Sequence, residues 1–155
     1  MKTILITGGR GFVGRNLCAH LERLEDVTLI AYDLGDPESR LEQGVAQADV
    51  IFHLAGVNRP PSEEEFRTGN TGFTEELCDR LTTMGRTPHI VFSSTIQATL
   101  DNPYGASKRA AEETLRLWAE KTGGRVTVFR FTNLFGKWCR PNYNSVVATF
   151  CHNIA

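Results

Sequence analysis

The sequence lacks the features that mark several specialised classes of protein. It has only 4 cysteines in 155 residues, with no C-x-x-C pair. No apolar run approaches the ~20 residues that a membrane-spanning helix needs, and no secretory leader precedes the first predicted strand. These absences predict a cytoplasmic protein with reduced thiols, without a membrane partner or a metal site. The cysteines are Cys18, Cys78, Cys139 and Cys151.

An excess of charge of either sign is also lacking. The chain has 17 basic and 18 acidic residues and a net charge of −1, so it carries no electrostatic signature of nucleic-acid binding. It shows no internal repeat and no low-complexity tract. A length of 155 residues suits one domain with a real core. We therefore expect a single domain whose partners are small molecules.

The chain begins with an apolar stretch, a glycine-rich turn and a helix. Residues 2–7 predict a strand buried on both faces, as in a parallel sheet. Glycines let the turn that follows lie close to an anion, and the helix that starts at Phe12 directs its free N–H groups to the same place. The spacing G-x-x-G-x-x-G predicts a dinucleotide site. Its expected contacts are Gly8, Arg10, Gly11, Phe12, Val13 and Gly14.

Two charged residues give opposite indications about the cofactor. Asp33 follows the second predicted strand, where an acid binds ribose hydroxyls. Its carboxylate would repel a 2′-phosphate and so favours NAD, whereas Arg10 in the turn would attract that phosphate and favours NADP. The alternatives are that Asp33 only begins a turn and that Arg10 is a solvated surface residue.

Strands and helices alternate along the chain, which predicts a doubly wound α/β fold with right-handed crossovers. A loop is predicted at 58–62, and a capping box of Ser62 and Glu65 opens a helical region with a break near Gly69. His53 lies within a strand, where a core histidine is favoured over a catalytic one. The predicted strands are 2–7, 27–32, 49–54, 88–93 and 125–131, and the predicted helical regions start near 12, 37, 62, 104 and 145.

A second group of chemically informative residues follows the fourth predicted strand. Thr95 ends that strand, where an open α/β sheet places its ligand. Tyr104 and Lys108 lie four residues apart on the next helix, so we expect the ammonium to lower the pKa of the phenol from ~10 toward neutrality. Such a pair suits hydride transfer, in which an alcohol oxygen gains or loses a proton. The alternative is an ordinary exposed pair on a helix.

The chain resembles the extended short-chain dehydrogenase/reductase family, which acts on nucleotide sugars. The resemblance is carried by five features in this order: TGGRGFVG, Asp33, HLAG, SST and YGASK. The resemblance implies a Rossmann-like fold, a catalytic triad of Thr95, Tyr104 and Lys108, and a supporting asparagine at Asn70. It also implies cofactor contacts from residues 54–56 and a substrate contact from Asn133. The alternative for Asn70 is a structural asparagine at a helix start. The three residues of the 54–56 segment are Leu54, Ala55 and Gly56.

The resemblance also narrows the reaction. Relatives that dehydrate sugars carry an Asp-Glu pair after the catalytic threonine, whereas this chain has Ile96-Gln97, which leaves ketone reduction or epimerisation. Segments 53–60, 93–108 and 133–155 resemble capsule-synthesis reductases that reduce a UDP-4-keto-6-deoxy sugar with NADPH. The alternatives are a 4-epimerase with bound NAD and, from another class, a non-catalytic dinucleotide-binding regulator.

The same resemblance predicts that residues 1–155 are the N-terminal, dinucleotide-binding part of a longer enzyme that acts as a homodimer. The final apolar helix has no glycine, proline or polar cap after it. We therefore expect this stretch to hold the glycine turn and the triad without completing a sugar pocket. An exposed edge strand and the apolar helix are expected to favour self-association.

Overall fold

A computed structural model describes residues 1–59 and 61–155 of the chain. Pro60, within the predicted loop 58–62, lies outside the described residues. The strands are β1 (Lys2–Thr7), β2 (Val27–Tyr32), β3 (Val50–His53), β4 (His89–Thr95) and β5 (Val126–Phe131). The helices are α1 (Phe12–Leu21), α2 (Glu38–Gln47), α3 (Glu63–Phe66), α4 (Phe73–Thr83), α5 (Pro103–Thr122) and α6 (Val146–Ile154). A π-helical turn spans Arg67–Gly72, and a 3-10 turn spans Ile96–Thr99.

The five strands form one parallel sheet in the order β2-β1-β3-β4-β5. From β1 the chain moves outward to β2 and then returns to place β3 on the other side of β1. This reversal is the topological switch point, and ligands bind beyond the carboxyl ends of the strands that flank it. The sheet order therefore locates the candidate site beyond Thr7 and His53.

The main core lies between one face of the sheet and helices α2, α4 and α5. Alternating strand residues point into it, and no side chain in this cluster is more than 6% exposed. Ile4 and Ile6 are also buried but alternate to the other face, and α1 contacts β1 and β2. Helices thus flank the sheet, as predicted. The cluster is formed by Leu5, Ile30, Leu41, Val45, Ala48, Ile51, Leu77, Cys78, Leu81, Ile90, Phe92, Ala111, Leu115 and Trp118.

Most predicted elements are confirmed within one or two residues, but the segment before α4 differs. The predicted capping box is wrong: Ser62 is the N-cap residue of α3, yet its side chain accepts no bond from the helix backbone. Its hydroxyl donates instead to Glu65 at 3.3 Å. The predicted break near Gly69 is a π-helical turn, which leads without interruption into α4.

His53 is a core residue, as favoured from the sequence. Its ring is buried, with Nδ1 2.7 Å from the Thr7 hydroxyl and Nε2 2.9 Å from the Thr74 hydroxyl. Burial, and then the positive charge of Lys108, lower the pKa of His53 to about 3. The ring is therefore neutral near pH 7 and bridges β1 to α4.

Two apolar surfaces remain exposed on the described part of the chain. In β5 the side chains of Val128 and Phe129 are exposed, and α6 has no buried residue, with Phe150 60% exposed. The expectation of self-association therefore stays a prediction with a structural basis. Within residues 1–59 and 61–155, no helix combines the length and apolar character required to cross a membrane.

Candidate active site

The glycine turn joins β1 to α1 at the switch point of the sheet. Gly8 has a φ of +76°, a left-handed conformation that glycine adopts without steric cost. Its N–H donates to the Tyr32 carbonyl at 2.8 Å, and the Gly11 N–H donates to the Gly8 carbonyl at 3.0 Å. A Cβ on Gly14 would lie 2.1 Å from that same carbonyl oxygen. The turn therefore requires glycine at both 8 and 14.

Asp33 and Arg10 are joined through a network of short bonds. The Asp33 carboxylate accepts from the backbone N–H of Arg10 at 2.7 Å and of Leu34 at 2.8 Å. The Arg10 guanidinium forms an ion pair with Asp36 at 2.7 Å. Asp33 also begins a turn, because the Asp36 N–H donates to its carbonyl at 3.0 Å. The turn-forming alternative for Asp33 is thus observed, while a role at the ribose stays a prediction.

The segment that follows β3 lies against the glycine turn. A Cβ on Gly8 would lie 2.7 Å from the Ala55 nitrogen, so the two backbones are in direct contact. A Cβ on Gly56 would lie 2.7 Å from Asn70 Oδ1 and 3.5 Å from Lys108 Nζ. Small residues at 55 and 56 therefore let the turn, the asparagine and the lysine meet in one place.

Asn70 is buried in the π-helical turn, three residues before α4 begins, rather than at a helix start. Its Oδ1 accepts from the Val57 N–H at 2.8 Å. Its Nδ2 donates to the Val57 carbonyl at 3.0 Å and to the Ser107 hydroxyl at 2.9 Å. These bonds fix the loop after β3 against α5, while the supporting role of Asn70 in the reaction stays a prediction.

Thr95 ends β4 and is buried beside the start of α5. Its hydroxyl accepts the N–H of Gln97 at 3.2 Å, which fixes the side chain at the start of the 3-10 turn. Gly105 of α5 packs tightly on this turn, since a Cβ there would lie 2.1 Å from the Gln97 carbonyl. The contact holds the strand end that carries Thr95 against the helix turn that carries Tyr104.

Tyr104 and Lys108 occupy successive turns at the start of α5. Lys108 is only 4% exposed, with its ammonium 4.3 Å from the centre of the Phe92 ring. Its pKa is lowered to about 8, chiefly by burial and against the opposing effect of Glu112. The Tyr104 ring packs on Phe66, with 5.8 Å between centroids.

The expected effect of Lys108 on Tyr104 is wrong for this structure. The pKa of Tyr104 is raised rather than lowered, first by burial and then by Tyr143. The reason is that both groups are withdrawn from water, and burial disfavours the charged form of each. Tyr104 therefore keeps its proton near pH 7, as a proton donor must.

These residues surround one open cleft of about 1200 Å³. It brings together most of the site residues predicted from the sequence, from the turn, the strand ends and α5. Gly8, Ala55 and Asp33 are not among its lining residues, although Asp33 accepts a hydrogen bond from the backbone N–H of Arg10, which is one of them. The predicted residues on the wall are Arg10, Gly11, Phe12, Val13, Gly14, Leu54, Gly56, Asn70, Thr95, Tyr104, Lys108 and Asn133.

The cleft has one sign of charge, although the whole chain is nearly neutral. Its described lining residues include five basic side chains and no aspartate or glutamate. Positive charge concentrated in a concave site raises the local concentration of anions. The arrangement therefore suits a ligand with several negative charges. The basic residues are Arg10, Arg15, Arg59, Lys108 and Arg140.

The sequence analysis missed one wall of the cleft, formed by residues 138–145 and by the first turn of α6. The centre of the Tyr143 ring lies 5.4 Å from the guanidinium carbon of Arg59 and 5.6 Å from that of Arg140. Arg15 of α1 stacks on Trp138 at 4.7 Å. A signal for this wall was present in segment 133–155, which is rich in aromatic and basic residues. That segment was used only to identify a family, and it did not predict which of its residues contact the cleft.

The residues present fit a dinucleotide. The N-terminal turn of α1 lines the cleft without an acidic side chain in it, so its free N–H groups suit a pyrophosphate. In the described residues, no group of three or more His, Cys, Asp or Glu side chains is arranged to hold a metal ion.

A parallel sheet with a glycine turn at its switch point and a cation-lined cleft beyond it defines a Rossmann-like nucleotide-binding protein. Comparison with known families agrees. Residues 4–155 match the NAD dependent epimerase/dehydratase family, and the chain belongs to that family.

Two similar proteins match almost the whole of this chain. The chain is 50% identical over 151 residues to a UDP-2-acetamido-2,6-beta-L-arabino-hexul-4-ose reductase of Pseudomonas aeruginosa, covering 97% of this chain and 41% of that protein. The crystal structure of the capsular polysaccharide assembling protein CapF from Staphylococcus aureus is 47% identical with a TM-score of 0.85, covering 98% of this chain and 40% of that one. This chain thus spans about two fifths of the length of both relatives.

A more distant structure shares the fold alone. The UDP-glucuronic acid 4-epimerase of Bacillus cereus, solved in complex with NAD, is 17% identical with a TM-score of 0.78. The match covers 90% of this chain and 60% of the epimerase. The sheet and its flanking helices therefore persist where most side chains differ.

Proposed function

We propose that residues 1–155 form the dinucleotide-binding reductase domain of a longer extended short-chain dehydrogenase/reductase. The enzyme uses NAD(H) or NADP(H) to reduce the 4-keto group of a UDP-4-keto-6-deoxy sugar, in the synthesis of a capsule or O-antigen precursor. It acts in the cytoplasm as a homodimer. The similar proteins support the substrate class, since one is a hexul-4-ose reductase and another is a capsular polysaccharide assembling protein.

The observation that carries the proposal is the composition of the cleft. A single concavity of about 1200 Å³ is lined by the glycine turn, by Thr95, Tyr104 and Lys108, and by five basic side chains. A nicotinamide dinucleotide and a UDP-sugar are both polyanions, and the reaction between them needs a proton donor beside the hydride path. The cleft therefore provides both the positive charge that binds the polyanions and the proton donor that the reaction needs.

Each residue of the triad has a distinct role in the proposed reaction. The nicotinamide, when bound, supplies the hydride. Tyr104 keeps its proton at neutral pH and donates it to the oxygen that forms at C4. Thr95, fixed at the end of β4, donates a hydrogen bond to the same oxygen. Lys108 places positive charge in the same cleft, which favours the binding of a negatively charged dinucleotide.

The residues next to the triad favour reduction over dehydration. Elimination of water from the sugar needs an additional acid and base, and the positions after Thr95 hold Ile96 and Gln97, which cannot titrate. Asn133 also lines the cleft, and its amide suits the diphosphate of the sugar nucleotide. The chain therefore carries the groups for hydride and proton transfer at one carbon.

The proposed function predicts that the complete gene product containing this chain oxidises NADH or NADPH when given a UDP-2-acetamido-2,6-dideoxy-4-keto sugar. The measurement is the loss of absorbance of the reduced cofactor, with identification of the 4-hydroxy product by mass spectrometry. A UDP-sugar that already has a 4-hydroxyl serves as the control. Interconversion of C4 epimers without net cofactor oxidation would replace the reductase with a 4-epimerase, and binding without turnover would indicate a regulator.

The choice between the two cofactors is proposed to rest on Asp33, Asp36 and Arg10. Asp33 places a carboxylate beside the turn, and Asp36 already occupies the Arg10 guanidinium. A 2′-phosphate would have to displace Asp36 and approach Asp33. The geometry therefore favours NAD(H), against the NADPH that the family resemblance implies.

Asp33→Ala is expected to raise the affinity for NADP relative to NAD by ~10-fold or more, because a repulsive charge is removed. Asp33→Asn removes the same charge while keeping a hydrogen-bond acceptor for the backbone, so it should act in the same direction. Calorimetric titration of both cofactors on each protein measures the ratio. Asp26→Asn, an exposed change at the other end of β2, is the matched control; an unchanged ratio in both Asp33 variants would place Asp33 away from the ribose.

A further inference from the structure

A polar network lies directly behind the proposed catalytic groups. Glu112 is on α5, one turn after Lys108 and two turns after Tyr104. Its carboxylate accepts a hydrogen bond from the Ser94 hydroxyl. It also accepts two from Arg130, at 3.0 Å from Nε and 2.6 Å from Nη2. Glu112 therefore connects α5 to the ends of both β4 and β5.

The bond from Ser94 acts on the strand end that carries Thr95. Ser94 is buried, and because strand side chains alternate, its hydroxyl reaches α5 while that of the next residue, Thr95, is directed elsewhere. Fixing Ser94 thus fixes the backbone from which Thr95 projects. The guanidinium of Arg130, on the neighbouring strand β5, also donates to this carboxylate. Glu112 is therefore held in place by hydrogen bonds from two strands.

Lys108 requires a counter-charge, because a buried ammonium is costly unless it is paired. His53 is neutral near pH 7, as shown above, and the asparagine and the aromatic ring beside Lys108 carry no charge. Glu112 lies one turn further along α5, on the same face of the helix as Lys108, and its negative charge raises the pKa of the ammonium against the effect of burial. The groups around the ammonium are His53 of β3, Phe92 of β4, Asn70 of the π-helical turn, and Tyr104 and Glu112 of α5.

We infer that Glu112 is a positioning residue of this site: held by Ser94 and Arg130, it fixes the Thr95 strand end against α5 and supplies the counter-charge of Lys108. This role rests on the proposed function for what Thr95 and Lys108 do, whereas the contacts of Glu112 do not depend on it. Glu112 itself lies outside the cleft wall and touches no reacting group.

The test measures the protonation of Lys108 directly. The chain has four lysines, Lys2, Lys108, Lys121 and Lys137, and the other three are exposed, so NMR of ¹³C-labelled lysine side chains resolves the buried one by its titration. In Glu112→Gln the titration midpoint of the Lys108 ammonium is expected at least ~0.5 pH units lower, because the negative charge that stabilises the ammonium is gone. Glu113→Gln, which removes the same charge from the exposed face of α5, should leave the midpoint unchanged.

Arg130→Gln separates charge from loosened packing. Removing this cation frees the full negative charge of Glu112, so the Lys108 midpoint is expected to rise. A purely structural role would move the midpoint in the same direction in Glu112→Gln and Arg130→Gln, or in neither. Either result overturns the inference. If Glu112→Gln does not fold, a falling midpoint in Arg130→Gln still contradicts it.

The complete gene product gives the functional readout. In Glu112→Gln the alkaline limb of the kcat/KM profile for sugar reduction should move to lower pH by the same amount as the Lys108 midpoint, while Glu113→Gln keeps the parent profile. An unmoved limb with a shifted midpoint overturns the role in the reaction. If the parent protein reduces no UDP-4-keto sugar, the proposed function fails, and the titration still decides whether Glu112 is the counter-charge.

Discussion

Tyr104→Phe is expected to lower the rate of sugar reduction by the complete gene product at least ~100-fold. The hydroxyl removed is the proposed proton donor, and its raised pKa keeps it protonated near pH 7. The ring contact with Phe66, 5.8 Å between centroids, does not involve the hydroxyl, so the fold should survive. Dinucleotide affinity should change less than ~3-fold, because the loss falls on the transition state rather than on binding.

Steady-state turnover and calorimetric cofactor binding, measured on the same preparation, check this expectation. Tyr32→Phe is the matched control, since it removes the same atom from a ring that packs on Phe73 and does not line the cleft. Turnover in Tyr104→Phe within a few-fold of the parent would remove Tyr104 from the mechanism. A parallel loss of rate and cofactor affinity would instead assign its hydroxyl to binding.

Gly14→Ala is expected to damage both the fold and the dinucleotide site. The added Cβ would lie 2.1 Å from the Gly8 carbonyl oxygen and 2.8 Å from the Gly9 Cα, and both atoms belong to the backbone. The turn can relieve this overlap only by moving away from α1. We expect the free energy of unfolding to fall by about 3 kcal/mol and dinucleotide affinity to fall at least ~10-fold.

Gly72→Ala provides the comparison, because a Cβ there meets nothing closer than 3.7 Å and the residue already has helical angles, with φ −61° and ψ −44°. It should change stability by less than ~1 kcal/mol. Urea denaturation and cofactor titration measure both variants. A folded Gly14→Ala protein that binds dinucleotide as tightly as the parent would show that the ligand lies elsewhere.

Elements whose pattern is local were predictable from the sequence. β1 and β2 have the predicted bounds because each is a short apolar run that ends where glycine or aspartate begins a turn. The helix at Tyr104 was also predictable, and Asn102 caps it by accepting the Gly105 N–H at 2.7 Å. The alternation of strands and helices predicts a doubly wound parallel sheet. It does not predict the strand order, because nothing in the sequence indicates which strands pair with β1.

The features that depend on distant contacts were not predictable. The π-helical turn places Gly69 against Val57, where a Cβ would lie 2.4 Å from Cγ2, and nothing near residue 69 encodes that contact. The prediction that Lys108 lowers the pKa of Tyr104 was wrong for the same reason. Helical spacing correctly placed Lys108 one turn away, but Tyr104 packs on Phe66 and Lys108 on Phe92, and these contacts form only in the folded chain.

The cluster of five cations in the cleft has a consequence for every binding measurement on this protein. At ~0.01 M salt the Debye length is ~30 Å, and at ~0.15 M it is ~8 Å. In dilute buffer an approaching polyanion therefore senses the five cations together with neighbouring acids such as Asp36 and Glu112, whereas at physiological ionic strength it senses mainly the nearest charges. Added salt should slow ligand capture far more than it weakens the neutral contacts of the turn. Variants that alter Arg10, Asp33 or Glu112 change that long-range field as well as local bonds, so their affinities are comparable with the parent only at one fixed ionic strength.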